Sequence, residues 1–278
     1  MHRKIYPMID WEEEWQRAIE KLEERAIKRR DVSYWDERAE DYANYIKMSK
    51  YEHGFKIREV LEKEGIFKPN FEVLDIGAGP GSLTIPFAKV VKRVVAIEPS
   101  HEMCKRLEKN AKEEGVENIT IINSKWEDID TDRIGKFDLV ICSNVCWMFK
   151  DIGNQLMRIN KASKRFCCIA ISASLKDERI YNGLFGRLGI SENRIPYHLY
   201  LYNILYQKGI LANMKIIDTL MRRSANSAIR HLELFLGTLK TLTERDKEII
   251  RQYVMENSKN GVFMRRGKMA VIWWKREQ

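Results

Sequence analysis

The stretch VLDIGAGPGSLTIPFA, Val73 to Ala88, governs how the rest of the chain reads. An apolar run carrying Asp75 meets three glycines at alternate positions, Gly77, Gly79 and Gly81, and a helical pattern follows Gly81. In open α/β sheets ligands bind outside the carboxyl ends of the strands, where such a loop lies. Glycine there admits positive φ and lets a ligand come close to the backbone. A dinucleotide loop has the pattern G-x-G-x-x-G. Counted from Gly77 it needs a glycine at position 82, and Ser82 stands there. The pattern present is D-x-G-x-G-x-G, led by Asp75.

Beyond the loop, strands and helices alternate. RVVAIEP, NITIIN, FDLVICSN and RFCCIAIS read as strands two to five, continuous apolar runs of the kind buried on both faces of a parallel sheet. Ser100 is placed to cap HEMCKRLEKNAKEEG, and DIGNQLMRINKAS has helical spacing. IPYHLYLYNILYQKG predicts a helix with Pro196 at its first position and Gly209 past its end. MKIIDTLM reads as a sixth strand, two helices are expected near 224–239 and 243–256, and KMAVIWWKR reads as the last strand. Ahead of the loop, about 65 residues are expected to be helical. The first helix runs from Asp10 to about Arg30, the second is capped by Ser33, and the third closes at Gly65.

The bulk figures bound the function. A chain of 278 residues with 44% hydrophobic and 32% charged residues suits one large globular domain with embellishments. No apolar run reaches the roughly 18 residues of a membrane span, and the acidic turn after the first residues leaves no secretory apolar region. Five cysteines without a C-x-x-C are expected to be buried free thiols in a reducing compartment, so no metal is expected and the protein is expected to be cytoplasmic. The net charge of +9 is uneven. The first 150 residues hold 26 Lys+Arg against 29 Asp+Glu, and the remaining 128 hold 23 against 11. Such a basic half either docks an anionic partner or is a solvated face.

Glu98 ends the second strand, and a carboxylate there offers two oxygens to the two hydroxyls of a ribose. Taken together, Asp75 to Gly81, AIEPS and FDLVICSN resemble the successive motifs of class I S-adenosylmethionine-dependent methyltransferases, over roughly Tyr34 to Ser172. The resemblance implies an α/β, Rossmann-like, doubly wound seven-stranded sheet with the last strand antiparallel. It divides the chain into an N-terminal helical lid at 1–65 and a methyltransferase domain at 66–278, with a helical insertion at about 174–210. It implies S-adenosyl-L-methionine as cofactor and S-adenosylhomocysteine as product. Asp75 and the backbone of Gly77, Ala78, Gly79 and Gly81 would hold the methionine part, Glu98 the ribose, and Pro99 would border the adenine. Many members carry an aspartate after the third strand that reads the adenine amino group. Here Lys125 stands in its place, and a lysine cannot accept from an amino group. Trp126 and Glu127 are the substitutes, with core packing the other reading of Trp126.

A sulfonium methyl carbon is electrophilic without help, so no fixed triad is expected and catalysis is mainly positioning. Ser143 and Asn144 end the fourth strand, where the family places residues between cofactor and substrate. NVCW, from Asn144, lacks both prolines of the motif found in enzymes acting on amino nitrogens. His198 is the candidate base, sharing a helix face with Tyr202 and Tyr206; a helix packing its aromatic residues on the sheet is the other reading. His53 and His231 are further candidates. YWDERAEDY resembles the start of a family lid, which would make Tyr34 and Tyr42 lid residues. The leading expectation is methyl transfer to a small molecule, with an acidic one suited to the basic half. The alternatives are an RNA or protein methyltransferase and a cofactor-binding protein without catalysis.

Overall fold

The computed structural model describes residues 9–26, 31–173, 182–190 and 195–276. Its helices are α1 (Trp11–Ala26), α2 (Val32–Met48), α3 (Glu52–Lys63), α4 (Thr84–Ala88), α5 (His101–Glu113), α6 (Ile152–Ala162), α7 (Asn182–Arg187), α8 (Tyr197–Gln207), α9 (Ala225–Gly237) and α10 (Glu244–Glu256). Its strands are β1 (Glu72–Ile76), β2 (Arg93–Ile97), β3 (Ile119–Ile122), β4 (Phe137–Ser143), β5 (Ser163–Ser172), β6 (Asn213–Ser224), β7 (Ser258–Lys259) and β8 (Val262–Lys275). They form one sheet in the order β3-β2-β1-β4-β5-β8-β6, with the two-residue β7 beside β8. The first five are parallel, and β8 runs antiparallel to both β5 and β6. This is the expected Rossmann-like sheet of seven strands with the last one reversed.

Local chemistry explains most boundaries. Ser100 caps α5 by accepting from the Met103 N–H at 3.1 Å, and Met103, Cys104, Leu107 and Ala111 then fall on one buried stripe. Thr243 and Asp246 exchange side-chain and backbone bonds as a capping box on α10. Two helix starts differ from the sequence expectation by a residue or two. Asp31 rather than Ser33 caps α2, its carboxylate accepting the Ser33 N–H at 2.9 Å. Pro196 is the residue before α8 rather than its first. The expected tail of α1 at 27–30, and the parts of the expected insertion at 174–181 and 191–194, lie outside the described residues.

Alternation along the strands divides the interior. Val73, Ala96 and Ile141 face a layer containing Ile46, Ile57, Leu61, Phe87 and Leu107 from α2 to α5. Leu74, Ile76, Val95 and Val140 face the other layer, where Trp15, Ile159, Leu201 and Ile204 come from α1, α6 and α8. At about 1.5–3 kcal/mol for each fully buried aliphatic or aromatic side chain, these two layers dominate folding. The amino-terminal helices therefore do not form one body. α1 lies on the α6–α8 face, with Trp15 Nε1 donating to the Phe149 carbonyl at 2.9 Å, while α2 and α3 cover the opposite face.

The carboxyl-terminal part adds a satellite. β6 and β8 pair from Asn213↔Trp273 to Ser224↔Val262, well beyond the β5 partner Met269. α9, α10 and α7 close a separate apolar cluster of Leu184, Leu188, Leu232, Leu236, Ile250 and Val254 at that end. The free edge of β6 is partly covered by side chains. Lys56 donates to the Asp218 carbonyl at 2.6 Å, Glu52 accepts from Leu220 N–H at 3.2 Å, and Ser49 accepts from Arg222 N–H at 2.9 Å. Alternate residues 218, 220 and 222 are thereby paired as a neighbouring strand would pair them, which blunts an aggregation-prone edge.

Candidate active site

A cavity of about 290 Å³ opens along the carboxyl ends of β3, β2, β1 and β4. Its lining includes Gly77, Ala78 and Gly79 after β1, Glu98 and Pro99 after β2, Trp126 and Glu127 after β3, and Ser143 and Asn144 after β4. Nine of the eleven residues expected to contact the cofactor are therefore gathered in one wall. Asp75 and Gly81 are not in that lining.

The three glycines do different work. All have positive φ: 71° at Gly77, 54° at Gly79 and 96° at Gly81. A Cβ on Gly77 would lie 2.3 Å from Val145 Cγ2, so this glycine lets the β1 and β4 ends pack together. A Cβ on Gly81 would lie 2.6 Å from Leu107 Cδ1 and 2.9 Å from Ile85 Cδ1, so that one seats α5 and α4. Only Gly79 looks into open space, with Tyr42 Cε1 at 3.9 Å as the nearest atom a Cβ would meet.

Glu98 is the site's central acid. It is 6% exposed, and its Oε2 accepts from the Gly79 N–H at 2.8 Å while Oε1 accepts from the Ser100 N–H at 2.9 Å. Burial pushes its carboxyl up to about 7, against the opposing pull of those two N–H groups, with Asp75 and Asp36 adding to the rise. Each oxygen keeps a second lone pair, which matches the two hydroxyls of a ribose. Asp75 lies beneath the loop, 2% exposed, and accepts from Thr84 Oγ1 at 2.6 Å. Burial raises it to about 6. Its contact is with the start of α4.

Trp126 has a place both in the core and at the cavity. It is buried in the α6-side layer and also lines the cavity, with the Arg158 guanidinium 5.3 Å from its ring centroid. Arg158 also donates to the Trp126 carbonyl at 2.8 Å, so one arginine meets both the ring and the backbone of Trp126. Asn144 has φ 55°, and its Oδ1 accepts from the Ser172 N–H at 3.2 Å, so this side chain ties β4 to β5. Ser143 Oγ and Trp126 Nε1 are buried polar atoms without a hydrogen-bond partner among the described residues.

α2 roofs the cavity with Val32, Trp35 and Tyr42. It is fastened there by Asp36, whose Oδ1 accepts from Ser100 Oγ at 2.6 Å and from the Glu102 N–H at 3.3 Å. Val145, Trp147, Met148 and Phe149 add an apolar wall after β4. Tyr34 is buried and lies outside the lining. His198 also lies outside it, on α8, whose Tyr197 and Tyr200 meet Trp15 edge-on at 5.5 and 6.2 Å. Burial lowers the His198 pKa. His53 on α3, by contrast, is in the lining. Helical spacing favoured His198 because it detects a shared face; it carries no information on which helix meets the cavity.

These residues fit S-adenosylmethionine. The open side of Gly79 leaves room for a ligand at the backbone, Glu98 has acceptor capacity for a diol, and two orphaned polar atoms lie in the cavity wall. The lining after β2 and β3 includes Pro99, Met103 and Trp126, apolar side chains suited to an adenine.

Comparison with known proteins agrees. Residues 73–165 match the family model of the methyltransferase domain. An uncharacterised protein of Haemophilus influenzae is 28% identical over 209 residues, 73% of this chain and 75% of that one. A ribosomal RNA small subunit methyltransferase A of Desulforapulum autotrophicum is 36% identical over 86 residues, and the alignment spans only 30% of either chain. The solved structure of YcgJ from Bacillus subtilis superposes with a TM-score of 0.52 at 16% identity, covering 81% of this chain and 99% of that one.

Proposed function

We propose that this chain, a class I S-adenosylmethionine-dependent methyltransferase, carries the methyl group to a small-molecule acceptor. The observation that carries the reading is the apolar lining of the cavity beyond the cofactor residues. Val32 and Trp35 from α2 and Val145, Trp147, Met148 and Phe149 after β4 add apolar side chains to the lining of the same cavity, beside Ser143 and Asn144. Such a lining buries a compact acceptor and excludes water from the transfer.

The cofactor, when bound, supplies an electrophilic methyl carbon on a sulfonium. The chain's own residues then bind and orient. Glu98 takes the ribose hydroxyls, Trp126 and Pro99 border the adenine, and the Gly77–Gly79 backbone leaves room for the rest. Asp75 and Gly81 support that loop from below. Trp35, Trp147 and Phe149 hold the acceptor against the Ser143–Asn144 strand end. Incubation with labelled methyl donor and separate small-molecule and RNA fractions of a cell extract tests the reading. Label in the small-molecule fraction, lost with Trp147→Ala, is the expected outcome; label confined to RNA overturns it.

A second reading is favoured by the charge distribution. Arg230, Arg245, Lys259 and Arg266 are exposed on the basic half, and one relative is named for its action on ribosomal RNA. In that case binding to ribosomal RNA falls steeply with salt, one counterion released for each phosphate neutralised.

A further inference from the structure

The cavity has an order imposed by the sheet. Trp126 and Glu127 follow β3, Glu98 follows β2, the glycine loop follows β1, and Ser143 and Asn144 follow β4, in the spatial sequence β3-β2-β1-β4. If the ribose lies at Glu98, as proposed above, the apolar lining at Pro99, Met103 and Trp126 suits a nucleobase lying toward β3. The amino-acid tail of the cofactor, with its ammonium and carboxylate, then extends toward β1 and β4.

His53 is on that side. It is the second residue of α3, 7% exposed, and lines the cavity together with Gly79, Ser82 and Tyr42. The approach of α3 depends on the next residue. A Cβ on Gly54 would lie 2.1 Å from the Ser82 carbonyl oxygen and 2.9 Å from Pro86 Cγ, so only glycine lets the first turn of α3 rest on the loop. Among the described residues the His53 ring makes no hydrogen bond. Burial pushes its pKa down to about 4, so the ring is neutral at physiological pH and offers one donor and one acceptor. The Tyr42 hydroxyl, from α2, is likewise without a partner among the described residues.

We infer that His53 is a binding residue for the amino-acid tail of the cofactor, delivered to the glycine loop by the Gly54 contact. A neutral imidazole accepts from the tail ammonium or donates to the tail carboxylate at that point without adding a charge beside the sulfonium. The inference rests on the ribose placement at Glu98.

The test is calorimetry of the whole chain with S-adenosylhomocysteine and with 5′-methylthioadenosine, which shares the nucleoside and thioether but lacks the amino-acid tail; weak binding is read by competition. His53→Ala is expected to weaken S-adenosylhomocysteine by about 10-fold and to leave 5′-methylthioadenosine within about twofold. His53→Gln, which keeps a donor and an acceptor, recovers most of the loss. The imidazole nitrogen resonances of His53 shift with S-adenosylhomocysteine and stay in place with 5′-methylthioadenosine. Equal losses for the two ligands, or none for either, overturn the inference, as does a ring that both ligands shift alike. Glu98→Ala separates the two levels. It weakens both ligands if the ribose placement is right, and failure there strikes that placement rather than His53.

Discussion

Two buried ionic clusters flank the roof helix α2, and they are built on opposite plans. On the cavity side, Glu98 and Asp75 are two acids with no cation between them, bonded only to N–H and hydroxyl donors and both pushed upward by burial. Behind α2, Arg38, Asp41 and Arg223 are 4%, 6% and 3% exposed and tightly interlinked. Arg223 donates to both Asp41 oxygens at 2.9 and 3.1 Å, Ser227 donates to the same carboxylate, and Arg38 stands 3.6 Å from it. Arg38 also meets His231 Nδ1 at 2.7 Å, and burial with the neighbouring arginines holds that histidine well below its ordinary pKa. Aromatic faces take up the remaining positive charge: Tyr45 lies 4.2 Å from the Arg223 guanidinium, and Tyr34, Trp35 and Tyr42 lie near that of Arg38. The second cluster pairs its charges internally and binds α2 to β6 and α9. The first carries spare acceptor capacity, which is what a ligand site needs and a structural site avoids.

This contrast can be broken by substitution. The largest effect is expected from Asp41→Ala, which strands two buried guanidiniums. Denaturant unfolding should show a loss of about 3–5 kcal/mol. A loss under about 1 kcal/mol would mean the cluster is not the clamp described. Glu98→Ala should behave in the opposite way. Affinity for S-adenosylhomocysteine drops about 100-fold in calorimetry, two hydrogen bonds to a charged acceptor being lost, while stability of the free protein is unchanged or rises. If the variant is instead destabilised like Asp41→Ala, Glu98 belongs with the structural acids.

The pH dependence comes next in size. A diol donates to the ionised carboxylate, and Glu98 in the free protein loses that form as pH falls through about 7. Between pH 8 and pH 6 the ionised fraction falls about tenfold, so affinity for S-adenosylhomocysteine should fall by a similar factor, with proton release on binding. A flat profile over that window, or one that survives in Glu98→Gln, removes the explanation. Ser227→Ala is expected to be mildest, costing about 1 kcal/mol for one neutral donor and leaving the affinity unchanged.

The division between legible and hidden follows sequence distance. The strands up to β5, the Ser100 cap, Glu98 and the residues after β3 and β4 each rest on short stretches of the α/β pattern, where periodicity and capping chemistry act locally. His53 stood only beside His231 as a further candidate, because its place at the cavity depends on Gly54 meeting the Ser82 backbone. His198 was attractive for a face shared with Tyr202 and Tyr206, but it lies outside the cavity lining and Tyr206 is exposed. The clamp joins Asp41 to Arg223 across 182 positions, and no spacing rule announces such a pair.

The amino-acid sequence alone therefore determined the loop, the acid that ends β2 and the methyl donor they imply, since these depend on residue type at short spacing. Tertiary structure decided what each bare position is for. Gly77 and Gly81 are bare because other parts of the chain press on them, and Gly79 because nothing does. Whether a missing side chain makes room for protein or for ligand is a question of what arrives from far away in the chain, and packing in three dimensions alone determines that.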